Sequence, residues 1–100
     1  MADTIHGCEV LEATDFVKRG GCLDTRAVLV DRGGGELVTA LQAKWPDGRP
    51  QAEWFGGHYF RDEAKARRDY GERARRLVTE AGLQALQADF ERFAGLAGSA

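Results

Sequence analysis

Several features that define special classes of protein are scarce or missing in this sequence. No apolar run approaches the roughly 20 residues that a membrane-spanning helix requires. The segment from Met1 to His6 lacks the basic and apolar regions of a secretory signal. The formal net charge of −2 gives the whole molecule no attraction to nucleic acid or to an anionic membrane. We therefore expect a cytoplasmic protein that does not bind membranes.

The low cysteine content leads to the same expectation. Cys8 and Cys22 are the two cysteines, and they lie on either side of an expected turn over residues 18–21. Cys22 is next to this turn, whereas Cys8 would be roughly 30 Å from it along an extended strand at ~3.3 Å per residue. That separation is beyond the reach of a disulfide. Both thiols are expected to be reduced, as is usual in the cytoplasm.

Composition places the chain among ordinary globular proteins. Its 100 residues are 43% hydrophobic and 30% charged, which predicts a single folded domain over residues 1–100 and argues against disorder. Arginine outnumbers lysine by eleven to three. This ratio, together with many alanines and glycines, is typical of GC-rich genomes and suggests a bacterial or phage protein.

Turn residues divide the segment 8–60 into about four strands, which we expect to form an antiparallel meander. The predicted turns are 18–21, 32–35 and 45–50, and the predicted strands are 8–17, 25–31, 36–45 and 51–55. Pro46-Asp47-Gly48 is the strongest turn, since proline fixes φ and glycine closes the bend. Gly56-Gly57 either ends the fourth strand or forms a bulge within it, and His58 to Phe60 could extend it.

The periodicity changes to that of a helix at Asp62, a suitable N-cap residue. Apolar residues then recur every three or four positions at Ala66, Tyr70, Ala74, Leu77 and Ala81. Gly82 resembles a helix end, and Leu83, Leu86, Phe90 and Phe93 repeat the spacing, so we predict helices over 62–81 and 83–94. Residues 1–6 and 96–100 are expected to fray. The order ββββα(α) predicts an α+β fold with one or two C-terminal helices on one face of the sheet.

A cluster of aromatic residues lies just before the helix. Adjacent strand residues point to opposite faces, so Trp54 and Phe55 cannot both enter one core. We expect an exposed protein-binding surface on the outer face or edge of the sheet, formed by Trp45, Trp54, Phe55 and Tyr59. The leading hypothesis is therefore a non-catalytic protein-binding module, such as a small phage- or mobile-element-type inhibitor or adaptor of a larger complex. A homodimer formed through the open face of the sheet is compatible with it.

The Arg-rich helix supports an alternative hypothesis. The segment from Arg61 to Arg76 contains seven basic and four acidic residues. Three acid-first pairs at i,i+4 would neutralise part of this charge: Glu63–Arg67, Asp69–Arg73 and Glu72–Arg76. The alternative is a protein that binds single-stranded nucleic acid through the sheet aromatics and the basic residues Arg61, Arg67, Arg68 and Arg75.

Catalytic and cofactor motifs are missing from the sequence. His58 has no neighbouring residue with the spacing of a catalytic partner, so a small enzyme centred on His58 is the third and weakest hypothesis. His6 and Cys8 offer two metal ligands without a second pair, and we expect no metal site. The glycine clusters lack phosphate-loop spacing, so no cofactor is expected.

Overall fold

The computed structural model describes the chain over residues 3–19 and 22–98, with side chains over 3–18 and 23–83. Within these residues there are six strands and one helix: β1 Thr4–Ile5, β2 Cys8–Ala13, β3 Val17–Arg19, β4 Cys22–Gly33, β5 Glu36–Ala43, β6 Phe55–Phe60 and α1 Glu63–Gly98. The strands pair antiparallel in the order β1-β2-β4-β5-β6, and β3 also pairs with β4. The predicted antiparallel α+β architecture with a C-terminal helix is confirmed, although the number of strands is larger.

The first predicted strand is divided into β2 and β3, which pair with opposite ends of β4. The division occurs at Thr14, whose backbone N–H donates to the carbonyl of Ala27 at 3.0 Å. The Thr14 hydroxyl accepts from the Ala27 N–H at 3.0 Å, so a side chain replaces a backbone group in the ladder. Lys18 and Arg19, predicted as turn residues, belong to β3 instead. The predicted turn residues Gly20 and Gly21 lie outside the described residues.

The N-terminal segment is part of the sheet, and the prediction that residues 1–6 fray is wrong for residues 4–5. Thr4 pairs with Glu9 and Ile5 pairs with Cys8, which extends the sheet by a short strand. Ile5 is 2% exposed because it packs into the hydrophobic core. Burial of an apolar side chain of this size is worth about 1.5–3 kcal/mol, which favours ordering of the segment.

The hairpin β4–β5 forms the centre of the sheet and is covered on both faces. Ala27 to Val30 are all 0% exposed. We call the face that carries Thr39 the helix face, since Thr39 contacts α1 through Asp69 and Arg73. The opposite side is the outer face. Strand alternation places Ala27 and Leu29 on the helix face, and Val28, Val30, Val38 and Ala40 on the outer face.

The outer face is not open at its centre, which corrects the expectation of a single-layer sheet with a free face. Ile5 belongs to the same buried cluster as Val28 and Val38, and Cys8, Val10 and Trp54 pack against that cluster. The sheet therefore carries apolar layers on both sides. The predicted homodimer would need another surface, or an interface around this covered centre. Cys8 is a free thiol at the edge of the cluster.

The fourth strand begins later than predicted. Residues 51–54 are not a strand, because the chain first closes a turn in which the Trp45 N–H donates to the Arg49 carbonyl at 2.7 Å. The Gln51 N–H then donates to the Ala43 carbonyl at 2.8 Å. The turn predicted at Pro46-Asp47-Gly48 is therefore confirmed, whereas β6 runs from Phe55 to Phe60.

A bulge interrupts β6 at Gly56 and Gly57. Of the two predicted alternatives, a strand end or a bulge, the bulge is confirmed. Thr39 pairs with His58 and Leu41 pairs with Phe55, so β6 has one more residue than β5 between these pairs. Gly56 has φ 62°, a left-handed conformation that favours glycine.

Helix α1 begins as predicted but does not end at Gly82. The Asp62 carboxylate accepts from the Lys65 N–H at 3.1 Å and caps the first turn. Ala66 and Leu77 are 0% and 4% exposed and face the sheet, which confirms the predicted stripe. Of the two alternatives, the single helix is confirmed: α1 continues from Glu63 to Gly98, so the predicted division into helices over 62–81 and 83–94 is wrong, as is the predicted fraying for residues 96–98. Gly82 lacks the positive φ of a helix-terminating glycine. No helix in the described part of the chain is long and apolar enough to cross a membrane.

Candidate functional site

Four polar side chains meet where α1 crosses β5 and β6. Thr39 and His58 are register partners on the helix face of neighbouring strands. The Thr39 hydroxyl donates to Asp69 Oδ2 on α1, and His58 Nδ1 lies 2.9 Å from the same oxygen. Arg73, one helical turn after Asp69, donates from Nη1 to the Thr39 carbonyl at 2.8 Å and to its hydroxyl at 3.3 Å. We call these four residues the junction network.

The electrostatics of the junction network favour an ionised Asp69. Burial raises the pKa of Asp69, but the hydrogen bonds from Thr39 and His58, with the positive charges of His58 and Arg73, outweigh it and lower the net pKa below 3.8. Burial lowers the pKa of Arg73, and the Asp69 carboxylate opposes that effect. The Asp69 carboxylate and the Arg73 guanidinium therefore stabilise each other's charged form at the boundary between the sheet and the helix.

The His58–Asp69 pair was not predicted from the sequence, because eleven residues and a change from strand to helix separate its members. A carboxylate that orients a histidine is a common arrangement for general-base catalysis. The Thr39 hydroxyl, however, donates to Asp69 and is 0% exposed, so it cannot act as a nucleophile. Among the residues with described side chains, no three potential ligands of the His, Cys, Asp or Glu type gather as around a metal ion. The hydrogen bonds of the junction network instead join β5, β6 and α1 to one another.

The four predicted binding aromatics do not form one surface. Trp54 packs against the outer-face cluster, with its ring edge-on to His6 at a centroid distance of 5.5 Å. Trp45 is 48% exposed and lines a separate hollow on the β4 side of the sheet, together with Leu23 and Asp24. Phe55 and Tyr59 remain, and both belong to β6.

Strand β6 is an edge of the sheet, since within the described residues it pairs only with β5. Phe55 is 43% exposed and is paired with Leu41, so its side chain lies on the helix face. Tyr59 is 52% exposed and is paired with Val38, which places it on the outer face. The edge therefore presents one large exposed aromatic side chain on each face.

The position of Tyr59 depends on the neighbouring glycine. A Cβ at Gly57 would lie 3.1 Å from Tyr59 Oη and 3.3 Å from Trp54 Nε1, closer than ordinary van der Waals contact. The guanidinium of Arg32 lies over the Tyr59 ring at 5.4 Å. The tyrosine ring is thus held along the edge strand by its neighbours on the outer face.

Only one of the three predicted ion pairs on α1 forms among the described side chains. Arg67 Nε donates to Glu63 at 3.0 Å, and Arg67 also contacts Glu12 of β2 at 3.3 Å. Arg61 donates to the Gly34 carbonyl at 3.2 Å. For Arg68 and Arg75, no carboxylate lies within 4.0 Å among the side chains that the structure describes. Two of the four predicted nucleic-acid-binding arginines therefore have contacts within the fold.

Comparison with protein-family models, curated proteins and solved structures gives no match for this chain. The fold and the geometry of β6 are therefore the basis for any statement about function.

Proposed function

We propose that this protein is a non-catalytic protein-binding module and that its binding surface is the β6 edge with Phe55 and Tyr59. The observation that carries the proposal is the exposure of these two aromatic side chains, 43% and 52%, on opposite faces of one edge strand. A role as an inhibitor or adaptor of a larger complex would use this surface without a catalytic centre.

Edge strands are suited to peptide recognition for a physical reason. Their outer N–H and C=O groups can pair with an extended segment of another protein, and the side chains beside the edge then determine which segment fits. Aromatic anchors are enriched among interface residues whose truncation costs about 2 kcal/mol or more. Phe55 and Tyr59 would contact side chains on opposite faces of an added strand, at positions several residues apart.

The bulge at Gly56 and Gly57 favours a short contact over a long one. It interrupts the regular ladder, which leaves His58 to Phe60 as the regular part of the strand. Bulges are a common means of preventing edge-to-edge aggregation of sheets. We therefore favour a partner that adds a short extended segment over a second copy that extends the sheet.

One observation favours the alternative of single-stranded nucleic-acid binding. Arg68 and Arg75 lie about 200° and 180° around the helix from the buried Ala66, so both are directed away from the sheet. They are free to contact phosphates, yet a strand bound there would not reach Phe55 or Tyr59. An Arg68→Glu/Arg75→Glu variant that binds single strands as the parent does would contradict this alternative.

The proposed function can be tested by affinity capture from the native host at physiological salt. The parent chain and a Phe55→Ala/Tyr59→Ala variant are compared with a Val78→Ala variant, because Val78 is 51% exposed but lies on the helix and not on β6. We expect the parent and the Val78 variant to retain the same partner and the double variant to lose it. Retention of every captured partner by a folded double variant would contradict the proposal.

The double variant is suitable because it should remain folded. Phe55 and Tyr59 are about half exposed, and surface substitutions of this kind usually change stability by less than roughly 1 kcal/mol. Trp54 is unsuitable for this purpose, since it packs against the buried outer-face cluster.

A further inference from the structure

The bulge in β6 brings two exposed side chains to the same face of the sheet. Phe55 and His58 are an odd number of positions apart, so a regular strand would direct them to opposite faces. Because of the extra residue at the bulge, they pair with Leu41 and Thr39 of β5, and both lie on the helix face. Phe55 is 43% exposed, and the side chain of His58 is 54% exposed. An aromatic ring and an imidazole are therefore neighbours at the edge of the sheet.

Asp69 determines which nitrogen of the His58 ring carries the proton. His58 Nδ1 lies 2.9 Å from Asp69 Oδ2. The lowered pKa of Asp69 keeps its carboxylate ionised at neutral pH, and an ionised carboxylate accepts hydrogen bonds but donates none. Nδ1 is therefore the donor, and Nε2 of the neutral imidazole is left without a hydrogen. Since the side chain is about half exposed although Asp69 covers its Nδ1 side, Nε2 is accessible from outside.

We propose that His58 is a specificity-determining residue of the β6 edge, whose Nε2 accepts a hydrogen bond from a side-chain N–H or O–H of the bound segment. The inference rests on the proposed function, since it names the chemistry of the segment that pairs with β6. Asp69 is a positioning residue, because it acts through the proton position on His58. The occupant is thus an extended protein segment with a hydrogen-bond donor opposite His58.

Strand geometry brings such a donor within reach. Side chains that lie directly opposite each other on neighbouring strands have Cβ atoms about 4.5–5.5 Å apart. His58 begins the regular part of β6, so a segment that pairs with this part presents one side chain to His58. The next side chain of the segment then faces Tyr59 on the outer face. We therefore expect a donor residue beside an apolar residue that packs on the tyrosine ring.

The hydrogen bond, and not charge, is expected to select the segment. Asp69 and Arg73 carry opposite charges within the junction network, so they do not favour one sign of charge in the partner. A glutamine opposite His58 can donate to Nε2, whereas an ionised glutamate has no hydrogen to donate. Methionine has a similar length and no N–H or O–H. These three side chains therefore separate hydrogen bonding from size.

Nucleic acid is the competing ligand, because bases also carry N–H donors. Its phosphates, however, require cations near the bound strand. Arg68 and Arg75 are directed away from the sheet, on the far side of α1. We therefore favour the protein segment and include oligo-dC, whose bases carry an amino donor, among the probes.

Long-range ¹H–¹⁵N NMR of the full labelled chain tests the proton position. The spectra are recorded at about pH 8.5, where an ordinary imidazole is neutral. His6 is an internal control, since its Nε2 and not its Nδ1 faces a carboxylate, that of Glu53 at 3.8 Å. We expect a proton on Nδ1 of His58 and on Nε2 of His6. Asp69→Ala should remove this difference and Glu72→Ala should not. A proton on Nε2 of His58 in the parent chain would overturn the inference.

Peptide titration followed by NMR tests the donor. The probes are blocked Ala-Val-X-Val-Ala peptides with Gln, Met or Glu at X. We expect the Gln peptide to shift His58 Nε2 and the amides of β6, and to bind about twofold to tenfold more tightly than the other two, as one net hydrogen bond allows. His58→Phe keeps a ring but has no Nε2, so it should abolish this preference, whereas His6→Phe should retain it.

Each other outcome has a defined meaning. Equal binding of the Gln and Met peptides to β6 would overturn the hydrogen bond to His58 but leave the β6 edge as a binding surface. Tighter binding of the Glu peptide would overturn the inference as well. Shifts at His58 with oligo-dC alone, or with none of the probes, would also overturn it. The capture experiment tests the proposed function separately, since it uses native partners and substitutions at Phe55 and Tyr59.

Discussion

Replacement of Asp69 by alanine tests the junction network between the sheet and the helix. Asp69 accepts from Thr39, which is 0% exposed, and from His58, whose side chain is 54% exposed. A hydrogen bond from a buried group to a carboxylate contributes about 1.5–3 kcal/mol, whereas the exposed histidine pair contributes only about 0.5 kcal/mol. Alanine has a better helix propensity than aspartate, which offsets the lost free energy by roughly 0.5 kcal/mol. The Asp69→Ala variant should therefore lose about 2 kcal/mol of unfolding free energy.

The assay is urea unfolding followed by circular dichroism, with thermal unfolding as a second measurement. A loss of about 2 kcal/mol corresponds to a Tm that is roughly 8–16 °C lower in a domain of this size. Glu72→Ala is the matched control, since it removes an exposed carboxylate from the same helix. We expect that control to change stability by less than about 0.5 kcal/mol.

The effect of Asp69→Ala should also depend on pH with a defined sign. The folded-state pKa of Asp69 is lowered below its ordinary value of 3.8, so its contribution is present above pH 3.8 and is lost as the pH falls through the lower, folded-state pKa. The stability difference between parent and variant should thus shrink at low pH. A loss no larger than that of Glu72→Ala, or a difference that stays constant down to about pH 2, would refute the reasoning.

Three further substitutions test the packing. Gly82→Ala should increase helicity and stability by up to about 1 kcal/mol, as circular dichroism can measure, whereas destabilisation would indicate that a helix ends at Gly82. Gly57→Ala should displace Tyr59 or Trp54 and cost about 1 kcal/mol or more; an unchanged tryptophan emission spectrum with full stability would contradict the close contacts. Leu29→Ala should cost about 2–5 kcal/mol in urea unfolding because Leu29 is 0% exposed, and a loss below roughly 1 kcal/mol would contradict its place in the core.

The helix cap, the apolar stripe, the turn and the bulge could be predicted because each depends on residues that are close together in the sequence. The Asp62 cap and the stripe from Ala66 to Leu77 depend on residues within two or three helical turns. The turn at Pro46-Asp47-Gly48 depends on the backbone preferences of three successive residues. The bulge at Gly56 and Gly57 was one of two predicted outcomes, since paired glycines supply the conformations that a bulge requires.

The remaining features depend on contacts between distant segments or on small energy differences. Nothing in the spacing of Ile5 and Trp54 indicates that both reach the outer face of β4 and β5. The His58–Asp69 pair arises only when α1 crosses β6. Gly82 costs only roughly 1 kcal/mol within a helix, too little to end a helix with strong helix formers on both sides.

The sequence predicts the placement of two aromatic side chains near the candidate site. The alternation rule indicated that Trp54 and Phe55 face opposite sides, and the structure places Trp54 against the outer-face cluster and Phe55 on the helix face. The rule could not show that Trp45 lies in a different hollow, because that depends on how the turn folds back toward Leu23. The sequence also predicts an ion pair between Glu72 and Arg76, and this pair does not form among the described side chains.

Site-specific photo-crosslinking in the native host tests the proposed binding edge most directly. A photoreactive phenylalanine analogue is placed at Phe55, at Tyr59 and, as a control, at Val78 of the full chain. The account predicts that positions 55 and 59 crosslink to the same protein and that position 78 does not. Crosslinking of a partner at position 78 alone, or an equal yield at all three positions, would contradict the proposal that β6 is the binding surface.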